Sequence, residues 1–189
     1  MGSSGSTPSR SERPITVGIV VVGDDHARAC TGRRLIRLGL ARAVGPSAWA
    51  ARKPVVLDPY ASVPLTAADR ERAQAAGLVA VDCSWNRLSS DHASHRLRGG
   101  EPAGVRRRLP MLLAANPQHF GRVGQLNTAE AIAAALFLLG APEQGRSVIL
   151  GFAGGGTFLE LNQDRLARYS VAQEPTELVH LERALFAGR

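Results

Sequence analysis

Asp82 and Trp85 bring a carboxylate and a large aromatic ring to the point where a buried strand runs out. Val79, Ala80 and Val81 read as the end of a short apolar strand, and Asp82, Cys83, Ser84 and Trp85 follow with no hydrophobic continuation. In α/β sheets the carboxyl ends of strands open into the crevice where small molecules bind, and the loops there carry the specific polar groups. The same residues also suit an ordinary strand end, with Trp85 packed in the core and Asp82 capping the turn. Other groupings offer less. FAGGGTF, residues 152–158, lacks the Gly-Lys-Ser/Thr ending of a phosphate loop, and no Gly-x-Gly-x-x-Gly follows a strand, so nucleoside-triphosphate and dinucleotide readings are weak. His92 and His95, beside Asp91, lack a fourth well-placed ligand, so no metal is expected there. A nucleophile pair of Cys83 with a histidine is no better supported.

The elements that must position these residues follow from periodicity. Residues 15–22 form a continuous β-branched run and read as a buried strand. A loop over 23–31 leads to an expected helix over 32–43, with Leu35, Ile36, Leu38 and Leu40 on its apolar side and arginines on its wet side. Pro54 precedes a second strand, 55–57. Thr66 and Asp69 have the spacing of a capping box for a helix ending at Gly77, expected in the left-handed position that closes helices. Residues 78–81 are the third strand.

Beyond Trp85 a Gly- and Arg-rich connection, 86–108, gives way to helices. RLPMLLAANP, residues 108–117, is apolar up to Ala115 and stops at an Asn-Pro turn. Asn127 or Thr128 can cap a strong helix over 129–139, apolar almost all round, with Glu130 in its first turn where the helix dipole favours negative charge. A loop containing Pro142 and Gly145 is expected next, then a turn at Gly154–Gly156, an amphipathic helix over 157–169 and a last helix over 175–186. Alternating strands and helices followed by helices alone predict an α/β domain over 14–104 and a helical domain over 105–189, with the boundary near 100–108. Residues 1–13, rich in Ser, Gly and Pro, are expected to be a disordered tail.

Composition narrows the function classes. With 189 residues, 44% hydrophobic and 21% charged, the chain has the make-up of an ordinary globular protein. Two cysteines, Cys30 and Cys83, are too few for a disulfide framework and fit a reducing, cytoplasmic setting. No apolar run approaches the roughly 18 to 20 residues that span a bilayer. A net charge of +7 biases the chain toward polyanions. Lys53 is its only lysine, so nearly all the positive charge is guanidinium, a skew that a GC-rich genome accounts for. Arginine also grips phosphate in a bidentate fork. The arginines cluster at Arg28, Arg33, Arg34, Arg37 and Arg42, and at Arg96, Arg98, Arg106, Arg107 and Arg108; each cluster reads either as a solvated face or as an RNA contact.

Six blocks in order then give a specific resemblance: CTGRRL (30–35), VVLDPYASVPLTAAD (55–69), GLVAVDCSWN (77–86), RRLPMLLAANPQHFG (107–121), LNTAEAIAAALFLLG (126–140) and FLELNQDRLARY (158–169). Together they resemble the small-subunit ribosomal RNA aminocarboxypropyltransferase family. The resemblance implies a SPOUT-like, trefoil-knotted α/β N-terminal domain with an all-helical C-terminal domain. It implies S-adenosyl-L-methionine as cofactor, transfer of its 3-amino-3-carboxypropyl group to N3 of an N1-methylpseudouridine in small-subunit rRNA, and 5′-methylthioadenosine as by-product.

By the same resemblance, the adenine sits near Leu57, Pro59 and Trp85, with backbone groups of Val81 and Leu109 on the cofactor. Thr31, Thr128 and the backbone of Gly124 surround its amino-acid end, and Trp85 also walls off the methyl group. Asp82 either pairs with the cofactor's ammonium or takes the N3 proton as general base. Arg28, Arg33, Arg34, Arg37, Arg106 and Arg107 are the candidate RNA contacts, and the partner is small-subunit rRNA or a pre-ribosomal particle. Two departures are visible: Gly124 stands where the family has Tyr, and Ala153, Gly154 and Gly155 replace a usual Lys-Trp-Gly. Transfer to a small molecule or another RNA, or a non-catalytic role in binding pre-ribosomal RNA, remain alternatives. With no obvious apolar dimer helix, a monomer is expected.

Overall fold

Successive side chains of a strand point to opposite faces, so a short run of β-branched residues suits a strand covered on both sides. The computed structural model describes residues 13–21, 30–45, 47, 49–82 and 103–187. Among these, five strands form one sheet: β1 (Val17–Val21), β2 (Arg42–Ala43), β3 (Val55–Leu57), β4 (Leu78–Asp82) and β5 (Val105–Arg107). Every pairing is parallel and the order is β2-β1-β4-β3-β5. Leu78 lies opposite both Val17 and Val55, and Val55 lies opposite Val105. Alternation sorts the side chains as expected. Val17, Ile19, Val55, Leu57, Leu78 and Ala80 join the main apolar cluster, while Val20, Val56 and Val79 join a smaller one closed by Val44 and Trp49.

The helices are α1 (Thr31–Arg37), α2 (Arg70–Ala76), α3 (Thr128–Leu138), α4 (Pro142–Ile149), α5 (Gly155–Tyr169) and α6 (Pro175–Phe186). The chain is thus an α/β protein with a parallel sheet. α3 is the central helix, buried on nearly all sides as its apolar sequence requires, and it packs on β4, α1, α4 and α5. One continuous set of buried residues runs from Ile15 to Leu178 and crosses position 104. β5 lies just past that position and forms an edge of the sheet.

Several local expectations are corrected. The helix read over 32–43 stops at Arg37, because Leu38 and Gly39 (φ +71°) turn the chain back and residues 42–43 pair with β1 as β2. Leu38, placed on the apolar side, is 52% exposed. Gly77 has φ +98° and ψ 169°, so it ends α2 in a glycine-type extended conformation that leads straight into β4 rather than in the left-handed helical well. A short 3₁₀ turn over 67–69 precedes α2, and Asp69 Oδ2 accepts from the Thr66 N–H at 3.2 Å. The stretch read as a loop around Pro142 and Gly145 is α4, with Pro142 in the first turn, where its missing N–H has no helical partner to lose. β5 arises inside the supposed polar connection.

Candidate functional site

Parallel pairing brings the carboxyl ends of the strands to one edge, where the segments after β3, β4 and β5 meet. There, a pocket of about 460 Å³ opens, within the range of small-molecule sites. β1 and β4 are neighbours although two strands separate them in sequence, which is the kind of switch in strand order where α/β sheets bind ligands. Leu57, Asp58 and Pro59 line the pocket from the end of β3, Val81 and Asp82 from β4, Arg108 and Leu109 from beyond β5, and Thr31 and Thr128 from the first residues of α1 and α3.

Asp82 ties three elements together. Its Oδ2 accepts from the Cys30 thiol at 2.5 Å and from the Gly32 N–H at 3.1 Å, and its Oδ1 accepts from the Thr128 hydroxyl at 2.5 Å. Gly32 has to be glycine here. A Cβ at that position would stand 2.5 Å from Asp82 Oδ2 and 2.8 Å from its Cγ. Burial pushes the Cys30 thiol above its ordinary pKa of 9.0, and the hydrogen bond to Asp82 adds to the rise, so this cysteine stays a hydrogen-bond donor. A carboxylate offers about four acceptor directions, and three are in use. One direction remains for a cation in the pocket.

The wall opposite is the irregular segment 108–116, whose buried backbone needs partners that no strand supplies. The backbone of residues 63–65 and 121–124 pairs with part of it, and three buried side chains serve further groups. Glu182 of α6 accepts from Arg108 Nη1 and Nη2 at 2.7 and 2.8 Å and from the Met111 N–H at 2.8 Å. Asn162 of α5 accepts from the Leu113 N–H and donates to its C=O, both at 2.9 Å, as a neighbouring strand would. Glu130 of α3 accepts from the N–H of Ala115 and from the Asn116 amide, at 2.8 and 2.7 Å, and also closes the capping box with Asn127. Tyr169 donates to the Met111 C=O at 3.3 Å, and burial pushes its pKa up to about 12.

Of the nine residues expected at the cofactor, Thr31, Leu57, Pro59, Val81, Asp82, Leu109, Gly124 and Thr128 all line this pocket, and Trp85 lies outside the described residues. Leu57, Pro59 and Leu109 make an apolar slot; Thr31, Asp82 and Thr128 make a polar end. The set suits a ligand with a flat apolar part and a charged amino-acid part. Gly124 has φ +74°, and a Cβ there would meet nothing within 4 Å, so the rim is open where a tyrosine was expected.

The arginines fare differently. Arg107 Nε sits 3.1 and 3.0 Å from the two oxygens of Asp69, Arg106 pairs with Asp58 at 2.8 Å, and Arg108 is held by Glu182. These pairs fasten β5 and the pocket wall to the fold. Arg34 donates to the Gly151 C=O at 2.9 Å and lies over the Phe152 ring. Arg34 and Arg37 are exposed on α1, Arg33 is half-buried, and Arg28, Arg96 and Arg98 fall outside the described residues. So do Cys83, His92 and His95. Among the described residues no group of three or more His, Cys, Asp or Glu could hold a metal ion, and no helix is long and apolar enough to cross a membrane.

Sequence reasoning missed Cys30 as an Asp82 partner, Glu130, Asn162 and Glu182 as supports of the wall, and Met111, Gln118, His119 and Leu126 as lining. Cys30 through Leu35 and Arg107 through Gly121 lay within the blocks that carried the resemblance, which marked the segments but not the direction of each side chain. Glu182 had no such signal: on an amphipathic helix it reads as one more solvated carboxylate.

The family described as "Ribosome biogenesis protein, C-terminal" matches residues 55–186. A 16S rRNA aminocarboxypropyltransferase of Methanosarcina mazei is 38% identical over 170 residues, covering 90% of this chain and 94% of that protein. An 18S rRNA aminocarboxypropyltransferase of Schizosaccharomyces pombe is 33% identical over 184 residues, 96% of this chain and 60% of that protein. The solved structure of the SAM-dependent rRNA:acp-transferase Tsr3 from Vulcanisaeta distributa superposes with a TM-score of 0.71 at 33% identity, covering 92% of this chain and 99% of that one.

Proposed function

The chain belongs to the rRNA aminocarboxypropyltransferase family of ribosome biogenesis proteins, and from that membership we propose that it transfers the 3-amino-3-carboxypropyl group of S-adenosylmethionine to N3 of an N1-methylpseudouridine in small-subunit rRNA. The observation that carries the reading is the convergence of eight separately placed residues on one pocket at the carboxyl ends of the strands. When bound, S-adenosylmethionine supplies a sulfonium whose γ-carbon is open to displacement, with neutral 5′-methylthioadenosine as leaving group. Transfer would form a C–N bond to N3 and break the C–S bond with its electron pair left on sulfur, the N3 proton being lost to solvent.

The protein's part is positioning, since methyl, ribose and aminocarboxypropyl carbons are all activated by one sulfonium. Leu57, Pro59 and Leu109 clamp the adenine. Asp82, already held by Cys30, Gly32 and Thr128, turns its remaining acceptor direction to the ammonium, and Thr31 and Thr128 flank the amino-acid end. Cover of the methyl group is the role the resemblance gives to Trp85, which lies outside the described residues. The ammonium role of Asp82 is favoured over that of base because its three hydrogen bonds hold it as a fixed acceptor. The proposal includes the trefoil knot that the resemblance implies; the chain after β5 lies beside residues 63–65, with the Leu65 N–H bonded to the Arg108 C=O and the Arg108 N–H to the Val63 C=O at 2.8 and 3.0 Å. The helices α3 to α6 supply the helical part of the SPOUT-like plan. A monomer in the cytoplasm, acting on rRNA or a pre-ribosomal particle, completes the proposal.

Mass spectrometry tests it. Incubation with S-adenosylmethionine and total RNA should add an aminocarboxypropyl mass to one nucleoside and release methylthioadenosine. An added methyl group, or modification of a small molecule but no RNA, overturns it.

A further inference from the structure

The turn over 117–124 carries an aromatic ring that the core does not use. Phe120 is 62% exposed and Val123 42% exposed, while their neighbours Gln118, His119 and Gly124 line the pocket. A single exposed apolar residue needs no explanation. Here two lie on one turn at the rim of a ligand site, and hydrogen bonds close the turn. The Ala114 N–H donates to the Arg122 C=O at 2.9 Å, the Gly121 N–H to the Ala114 C=O at 2.8 Å, and the Gly124 N–H to the Leu112 C=O at 2.8 Å. Leu113 and Val123 form an antiparallel bridge. The base of the turn is fixed by Asn116, whose side-chain oxygen accepts from the His119 N–H at 3.1 Å and whose amide is bound to buried Glu130.

We propose that this turn is the acceptor-base platform, with the Phe120 ring stacking on an unpaired nucleobase of the RNA at the mouth of the pocket; the inference rests on the reading above. Sequence-specific RNA recognition favours bases splayed out of loops and stacked on aromatic side chains, and every base has a face for such a contact. A ring carried on a hydrogen-bonded turn has less freedom to lose on binding than one on an open loop. Gly124 leaves the rim beside it open, and exposed Arg122, two residues on, supplies a cation for a neighbouring phosphate. Phe120 itself is outside the pocket lining, so its role is assigned to the acceptor and not to the cofactor.

Phe120→Ala should raise KM for RNA roughly 10-fold or more, in the range of a lost base–aromatic stack, and leave the Kd for S-adenosylmethionine within about twofold. Phe120→Tyr should restore KM. In a second arm, the indole of Phe120→Trp should be quenched by a single-stranded uridine oligonucleotide, relative to wild-type protein. That arm needs no turnover, so it decides the platform even if no RNA is modified, an outcome that would defeat the functional reading alone. An unchanged KM in Phe120→Ala, or an unquenched indole in Phe120→Trp with RNA bound, overturns the inference.

Discussion

Asp82→Asn separates the charge of the carboxylate from its role as a tie. An asparagine oxygen on the Oδ2 side can accept from the Cys30 thiol and the Gly32 N–H, and its amide can donate to the Thr128 hydroxyl, which accepts as well as donates. The tie therefore survives, and the unfolding free energy should change by less than about 1 kcal/mol. What is lost is the charge facing the pocket. A charge-assisted hydrogen bond is worth about 1.5–3 kcal/mol, so the Kd for S-adenosylmethionine should rise roughly 10- to 150-fold. Methylthioadenosine has no ammonium, and its Kd should stay within about twofold. Isothermal titration of both ligands against wild-type and variant protein reads the contrast. Equal losses for the two ligands, or no loss for either, would refute the ammonium pairing; a fall in kcat with unchanged Kd would make Asp82 the base.

Gly32→Ala forces a Cβ to within 2.5 Å of Asp82 Oδ2, so it should destabilise the fold by about 1–3 kcal/mol and abolish the preference for S-adenosylmethionine over methylthioadenosine, measured by urea unfolding and calorimetry. Glu182→Ala leaves Arg108 half-buried without its carboxylate and the Met111 N–H without an acceptor, and should cost about 3–5 kcal/mol in denaturant titration. Tyr169 has its pKa raised to about 12, so the folded state holds its proton where the unfolded state has lost it. Its contribution is complete below about pH 10 and is lost as pH rises toward 12. Wild-type protein should lose about 1 kcal/mol more stability between pH 9 and pH 11 than Tyr169→Phe does. In a Cys83→Ser background, Cys30 should react with a disulfide probe at pH 8 more slowly than free cysteine, since burial and Asp82 both favour its thiol form.

Local chemistry made much of this molecule legible in the chain. The apolar runs read as strands over 15–22, 55–57 and 78–81, the cap of α3 read at Asn127 or Thr128 and the start of α6 near Pro175 depend on neighbours within a few residues; the strands form at Val17–Val21, Val55–Leu57 and Leu78–Asp82, and Asn127 is the residue that caps α3. The ordered blocks that resemble the transferases also marked the pocket segments. Tertiary contacts decided the rest. β2 and β5 are two and three residues long and become strands only because β1 and β3 offer them a partner edge. Glu130, Asn162 and Glu182 reach across 15 to 71 positions of sequence to bond backbone N–H groups that belong to no strand of the sheet. The arginines Arg106 and Arg107, alike in sequence to any RNA-facing cation, are claimed by Asp58 and Asp69 once the sheet brings them together. Periodicity records which face a residue takes, but a hydrogen-bond partner far along the chain leaves no periodic trace, so only the folded geometry could assign it.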